Sequence, residues 1–145
     1  MTVLTNTIDM AYMAREQAIA TNTKVGVCIY AWNDALGHGY FQGANLENSF
    51  KKTYHAEEVA LIQGLMAGYR GEDFSYMIQI AFAEDEIYPC CLSCLSWLYE
   101  YTHPDFIIYT IYNHDIIDQR TLKEMTIGFK GVDIYPKPSR RQTYL

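Results

Sequence analysis

The chain has 145 residues, which by the ~150-residue rule is one domain, residues 1–145, with little room for a second. Its 17 acidic against 11 basic side chains leave a net charge of −6, which argues against a polynucleotide partner. Half of the residues are apolar or tyrosine, enough for a sizeable core, which excludes disorder and collagen, and the longest apolar runs, Val25–Trp32 and Phe106–Tyr112, are far below the ~20 residues a bilayer crossing needs.

In chain order, Asn6–Ala20 carries Ile8, Tyr12, Arg15 and Ile19 on one stripe behind Thr5, Asn6 and Thr7, which predicts an amphipathic helix. Val25–Trp32 is β-branched and aromatic and reads as a strand. Turn-forming residues over Asn33–Gly39 then return the chain as a second strand, Tyr40–Asn45. His55–Met66 has helical spacing and runs into Gly68. Met77–Phe82 reads as a buried strand, Cys91–Tyr101 as a helix and Phe106–Tyr112 as another strand. A short helix at Thr121–Met125 and a short strand near Val132–Tyr135 complete the reading, and the tail 135–145, with two prolines and three basic residues, is expected to be irregular and exposed. The order α-β-β-α-β-α-β predicts an α/β fold, packed as a three-layer α/β/α sandwich.

Three of the four cysteines fall at 90, 91 and 94, too crowded to staple a fold with disulfides; with no basic N-terminal leader pattern, this points to a cytoplasmic chain that uses them for metal or redox chemistry. His55 opens one predicted helix, and Cys91 and Cys94 open the next at i, i+3. One histidine and two thiolates suit tetrahedral Zn²⁺ and leave a fourth position for water, the open arrangement of a catalytic zinc, one per chain. Cys90 and Cys94, at i, i+4, also share a helix face, so two cysteine pairs stay open, with Cys-x-x-Cys the commoner spacing. Cys28, alone in an apolar strand, reads as a core thiol. Glu57 supplies the carboxylate that takes a proton from water and hands it to a leaving nitrogen. Together, His55-Ala56-Glu57 and Pro89-Cys90-Cys91-Leu92-Ser93-Cys94 approach the H-x-E…P-C-x-x-C pattern of zinc nucleobase deaminases.

On these residues, and on Asn45-Leu46-Glu47-Asn48 after the second strand, the chain from about Val25 to Phe129 resembles the cytidine deaminase family. The resemblance implies a mixed, about five-stranded sheet, a free nucleoside as substrate, and homotetramers whose neighbouring subunits complete each site. It assigns the ribose hydroxyls to Asn45 and Glu47 and a further substrate contact to Ala56. It implies hydrolytic deamination of a cytosine nucleoside, cytidine or deoxycytidine, with His55, Cys91 and Cys94 on zinc and Glu57 moving the protons.

The chain departs from the family in places. Thr23-Lys24-Val25-Gly26 stands where the family has Phe-Pro-Val-Gly and stacks its aromatic ring on the base; Tyr54, Tyr88 and Phe50 are alternative rings. Cys90 replaces the usual proline, and Leu95-Ser96 replaces Arg-Gln. Glu58 stands where family members with three thiolates carry arginine, which is consistent, since Zn²⁺ with two thiolates and a neutral histidine sums to zero. Lys51 and Lys52 read as a solvated loop or, alternatively, as phosphate contacts. Glu84-Asp85-Glu86 reads as an exposed loop. The rival readings are deamination of another aminated base or of a nucleotide such as deoxycytidylate, and a catalytically silent subunit with a structural zinc.

Overall fold

The computed structural model describes residues 2–50, 52–84 and 86–126. Its elements in chain order are α1 (Val3–Glu16), β1 (Val25–Asn33), β2 (Gly37–Ala44), β3 (Leu46–Glu47), β4 (Thr53–Tyr54), α2 (Ala56–Met66), a 3-10 turn (Gly71–Asp73), β5 (Phe74–Ala83), β6 (Glu86–Ile87), α3 (Leu92–Tyr101), β7 (Ile107–Tyr112), β8 (Asp115–Thr121) and α4 (Leu122–Met125). The main sheet runs β2-β1-β5-β7-β8, and β6 folds back on the end of β5. Among the described residues of this sheet β5 and β7 pair in parallel, with α3 in the crossover a parallel pair requires, and the other neighbouring strands pair antiparallel, so the sheet is mixed.

The alternation along β1 sorts the two cores. Val27, Ile29 and Ala31 face a cluster that includes Ala60 and Leu61 of α2 and Leu95 and Leu98 of α3, while Cys28 faces the opposite cluster with Ala11 of α1. The sheet is thus flanked by α1 on one side and by α2 and α3 on the other. Burial pushes the Cys28 thiol up to about 12, as befits a core thiol.

Two glycines let the helices approach closely. Gly26 backs onto Ala11 and Arg15 of α1, and Gly43 onto Ala56 and Ala60 of α2; a Cβ at either place would overlap helix backbone. Gly43 therefore sets how deeply the first turn of α2 sits against the sheet.

Several boundaries differ from the sequence expectation. The first helix starts at Val3 because the Thr2 Oγ1 accepts from the Thr5 N–H at 3.1 Å, and it stops at Glu16, short of Ala20; Ile19 instead bridges to Leu46. The β1–β2 turn is shorter than expected, since His38 and Gly39 already pair with Trp32 and Ala31. β5 extends beyond Met77–Phe82 at both ends. Glu86 belongs to β6, paired through Ala83, and not to a loop. The largest difference is β8, an edge strand that the sequence reading lacks. It follows a two-residue loop, Asn113-His114, with both φ values positive, the backbone of a type I′ hairpin. The strand expected near Val132–Tyr135 and the tail 135–145 lie outside the described residues.

Candidate metal and substrate site

The site forms where two helix N-termini meet at one end of the sheet. His55 is the N-cap of α2 and Cys91 the N-cap of α3, each in extended backbone; Glu57 and Cys94 follow in the first turns. The Cys91 Sγ accepts from the Cys94 N–H at 3.5 Å, a capping contact that turns it toward the same point as Cys94.

The His55 Nδ1 lies 3.2 Å from the Cys94 Sγ and 3.3 Å from the Cys91 Sγ, and the three ligand atoms lie within 4.8 Å of one another. Zinc–nitrogen and zinc–sulfur bonds of ~2.0–2.1 Å and ~2.3 Å at tetrahedral angles put such atoms roughly 3.5 Å apart, so the trio fits one zinc ion. Cys94 is buried, His55 half-buried and Cys91 exposed, which leaves the group open toward the cleft. Cys90 is buried and is not part of this group. The hydrogen bond with Cys90, and then burial, push the Cys94 thiol up; a bound metal ion removes that proton outright.

Glu57 is buried, and its Oε2 accepts from the Cys94 Sγ at 3.2 Å. Burial chiefly raises its carboxyl above the ordinary carboxylate value, partly opposed by hydrogen bonds from its backbone and Cys94. A carboxyl raised in this way, next to a metal group, is suited both to take a proton and to return it.

The cleft in front of this group, about 280 Å³, is also lined by Asn45, Glu47, Ala56, Gln79, Ala81 and Tyr88. Asn45 is buried and clamps the entry to β1, its Oδ1 accepting from the Val25 N–H at 2.8 Å and its Nδ2 donating to the Thr23 carbonyl at 2.7 Å. The Glu47 Oε2 accepts from both the Thr21 N–H and its hydroxyl, at 3.2 and 3.1 Å. Asn45, Glu47, His55, Ala56, Glu57 and Cys91 thus line one cleft, with Cys94 buried behind His55 and Glu57.

Of the alternative rings, Tyr88 lines the cleft, whereas Phe50 and Tyr54 stand exposed outside its lining. Lys52 is exposed over the Tyr54 ring, also outside the lining, and Lys51 lies outside the described residues. Sequence reasoning missed Gln79, whose Nε2 donates to the Glu57 Oε1 at 3.5 Å, and the threonines 21 and 23 that hold Glu47 and Asn45. A lone glutamine inside the apolar run Met77–Phe82 was the available sign of the first.

A mixed sheet flanked by helices, with a His-x-Glu and a Cys-x-x-Cys brought to one cleft by two helix N-termini, defines a zinc-binding deaminase-like domain. Residues 1–110 match the family described as the cytidine and deoxycytidylate deaminase zinc-binding region, and the chain belongs to that family. The crystal structure of cytidine deaminase from Burkholderia pseudomallei is similar over 86% of this chain and 96% of that one, at 29% identity and a TM-score of 0.71. Cytidine deaminase from Mycobacterium leprae, at 22% identity and a TM-score of 0.66 over 86% and 98% of the two chains, shares the fold. No curated protein matches the chain by sequence. Among the described residues no helix is long and apolar enough to cross a membrane.

Proposed function

We propose that the protein is a zinc-dependent hydrolase that converts a cytosine nucleoside and water to the uracil nucleoside and ammonia. The observation that carries this reading is the seat of Glu57: a buried carboxylate 3.2 Å from a ligand sulfur, on the floor of a cleft that Asn45 and Glu47 rim. A silent, structural zinc has no use for such a carboxylate, and it takes four protein ligands where only three converge among the described residues.

His55, through Nδ1, and the Cys91 and Cys94 thiolates would hold the zinc, which, when bound, supplies Lewis-acid activation of water. Glu57 moves the two protons of water in turn, the first to the ring nitrogen as the carbon–oxygen bond forms and the second to the amino group as the carbon–nitrogen bond breaks and ammonia leaves, so one side chain serves twice as base and then as acid. Asn45 and Glu47 take the sugar hydroxyls; the Glu47 Oε2 is already anchored by Thr21, which orders the carboxylate before substrate arrives. Tyr88 supplies an aromatic face at the cleft in place of the ring absent at Thr23. A cleft of this size takes a nucleoside and not a polynucleotide, in keeping with the net charge of −6. The four cysteines, all free, suit a reducing cytoplasm.

Asn45→Ala and Glu47→Ala separate two kinds of loss. Both are expected to raise KM by an amount matching lost hydrogen bonds, about 0.5–3 kcal/mol each, while leaving kcat less affected. Asn45→Ala also lowers the melting temperature more, because it frees the part-buried Val25 N–H and Thr23 carbonyl, whereas the Thr21 groups that Glu47→Ala frees are exposed to water. Steady-state kinetics beside thermal denaturation reads both. An equal loss of stability in the two variants would contradict this division.

The reading includes assembly into a homotetramer. Phe50, Met66 and Leu92 are 91%, 83% and 67% exposed, and Phe50 and Leu92 flank the residues that rim the cleft. Size exclusion with light scattering at micromolar concentration is expected to give four chains per particle; a monomer contradicts it.

A further inference from the structure

Gln79 sits in β5 between Ile78 and Ile80, 1% exposed, and lines the cleft. Its Nε2 donates to the Glu57 Oε1 at 3.5 Å and to the Tyr88 carbonyl oxygen at 3.4 Å. The Tyr88 carbonyl only accepts, as does Glu57 in the ionised form that takes a proton from water, so in that form the amide cannot turn over without setting its own oxygen against two acceptors. The orientation is imposed, and it leaves the Gln79 Oε1 buried with no hydrogen-bond partner among the described residues. Buried carbonyls without a donor are rare, and packing does not call for one here, since the neighbours Met77, Ile78 and Ile80 are core residues and a methionine would fill the same space. What the amide adds is an acceptor, on the same carbon as the nitrogen that touches Glu57.

We propose that Gln79 is a specificity-determining residue whose Oε1 accepts a hydrogen bond from the exocyclic amino group of the bound ring, the group that leaves. This rests on the deamination reading, because it places the amino group beside the carboxylate that protonates it. The ligand class is an aminated heterocycle with at least one N–H on its exocyclic nitrogen. A ring with an ether oxygen at that position leaves the Gln79 carbonyl unpaired, and a site built around such a hydrogen bond rejects the analogue that lacks it.

The test titrates cytidine and its 4-methoxy analogue, which has no N–H donor there, into zinc-loaded Glu57→Gln and Glu57→Gln/Gln79→Met proteins. Glu57→Gln slows turnover and still offers an acceptor to the Gln79 amide. Ammonia release from cytidine by the wild type is measured in parallel. The expected result is that the Gln79-containing protein prefers cytidine by at least about 10-fold and that the preference falls to about 3-fold or less with Gln79→Met, at unchanged zinc content. Equal binding of the two ligands to the Gln79-containing protein overturns the proposal, whether or not the double variant folds. So does a preference that survives Gln79→Met, or binding of neither ligand. Wild-type deamination with equal binding refutes the role of Gln79 alone; a Gln79-dependent preference without ammonia release supports that role and contradicts the deamination reading instead.

Discussion

Glu57→Gln is expected to keep the fold and one zinc per chain while losing deamination by about 10⁴-fold or more. Glutamine nearly matches the shape of Glu57 and can still accept from the Gln79 amide, so the packing of the first turn of α2 is preserved. It cannot carry a proton. A positioned acid–base group typically contributes ~10²–10⁴-fold, and here one carboxylate must serve water, ring nitrogen and amine, which puts the loss at or above the upper figure. Stability should move the other way. Burial raises the Glu57 carboxyl above its ordinary value, so the folded chain holds that proton more tightly than the unfolded one. The metal-free wild type therefore loses stability as pH rises from the ordinary carboxylate value through the raised one. Glu57→Gln removes this slope, and denaturation of metal-free protein at neutral pH is expected to find the variant more stable. A variant that deaminates near the wild-type rate would refute the assignment of Glu57, and with it the mechanism.

The second large effect concerns which cysteines hold the metal. Cys91→Ala and Cys94→Ala are each expected to lose zinc and activity, because their sulfurs flank the His55 Nδ1 at 3.3 and 3.2 Å and a site with three protein ligands does not survive with two. Cys90→Ala should keep most of both, since Cys90 stands outside that group although it is buried beside Cys94. Elemental analysis of the purified variants reads this directly. Zinc retained in Cys91→Ala together with loss in Cys90→Ala would reassign the pair.

The parts of the molecule legible in the sequence are those whose residues are under strong local constraint. Val25–Asn33 and Ile107–Tyr112 are strands buried enough to need continuous apolar runs, and α2 and α3 announce themselves by helical spacing behind His55 and Cys91. β8 escaped because an edge strand needs no apolar face: Asp115–Thr121 is exposed or half-buried at every position. Its hairpin escaped for a second reason. The I′ turn uses Asn113-His114 where Asn-Gly would be the recognisable pair, and the loop is held from outside by the Tyr12 hydroxyl, which accepts from the His114 N–H at 2.8 Å, and by stacking of the two rings at 4.2 Å. In the candidate site, His55, Glu57, Cys91 and Cys94 were legible as a group because the chemistry proposed for them restricts both residue type and spacing, and the fold brings them together. Gln79 and the threonines 21 and 23 were not, because what they do depends on distances across 20 or so residues that no local pattern records. The choice between Cys90 and Cys91 likewise needed geometry: both are one helical step from Cys94, and only the N-cap position of Cys91 turns its sulfur to His55.

If these residues together deaminate a cytosine nucleoside, the zinc-loaded wild-type protein releases ammonia from cytidine and deoxycytidine, and that release is the decisive measurement. The expected result is one ammonia for each uracil nucleoside formed, abolished when a chelator removes the zinc and restored when zinc is returned. Folded protein that carries one zinc per chain and releases no ammonia from either nucleoside would contradict it.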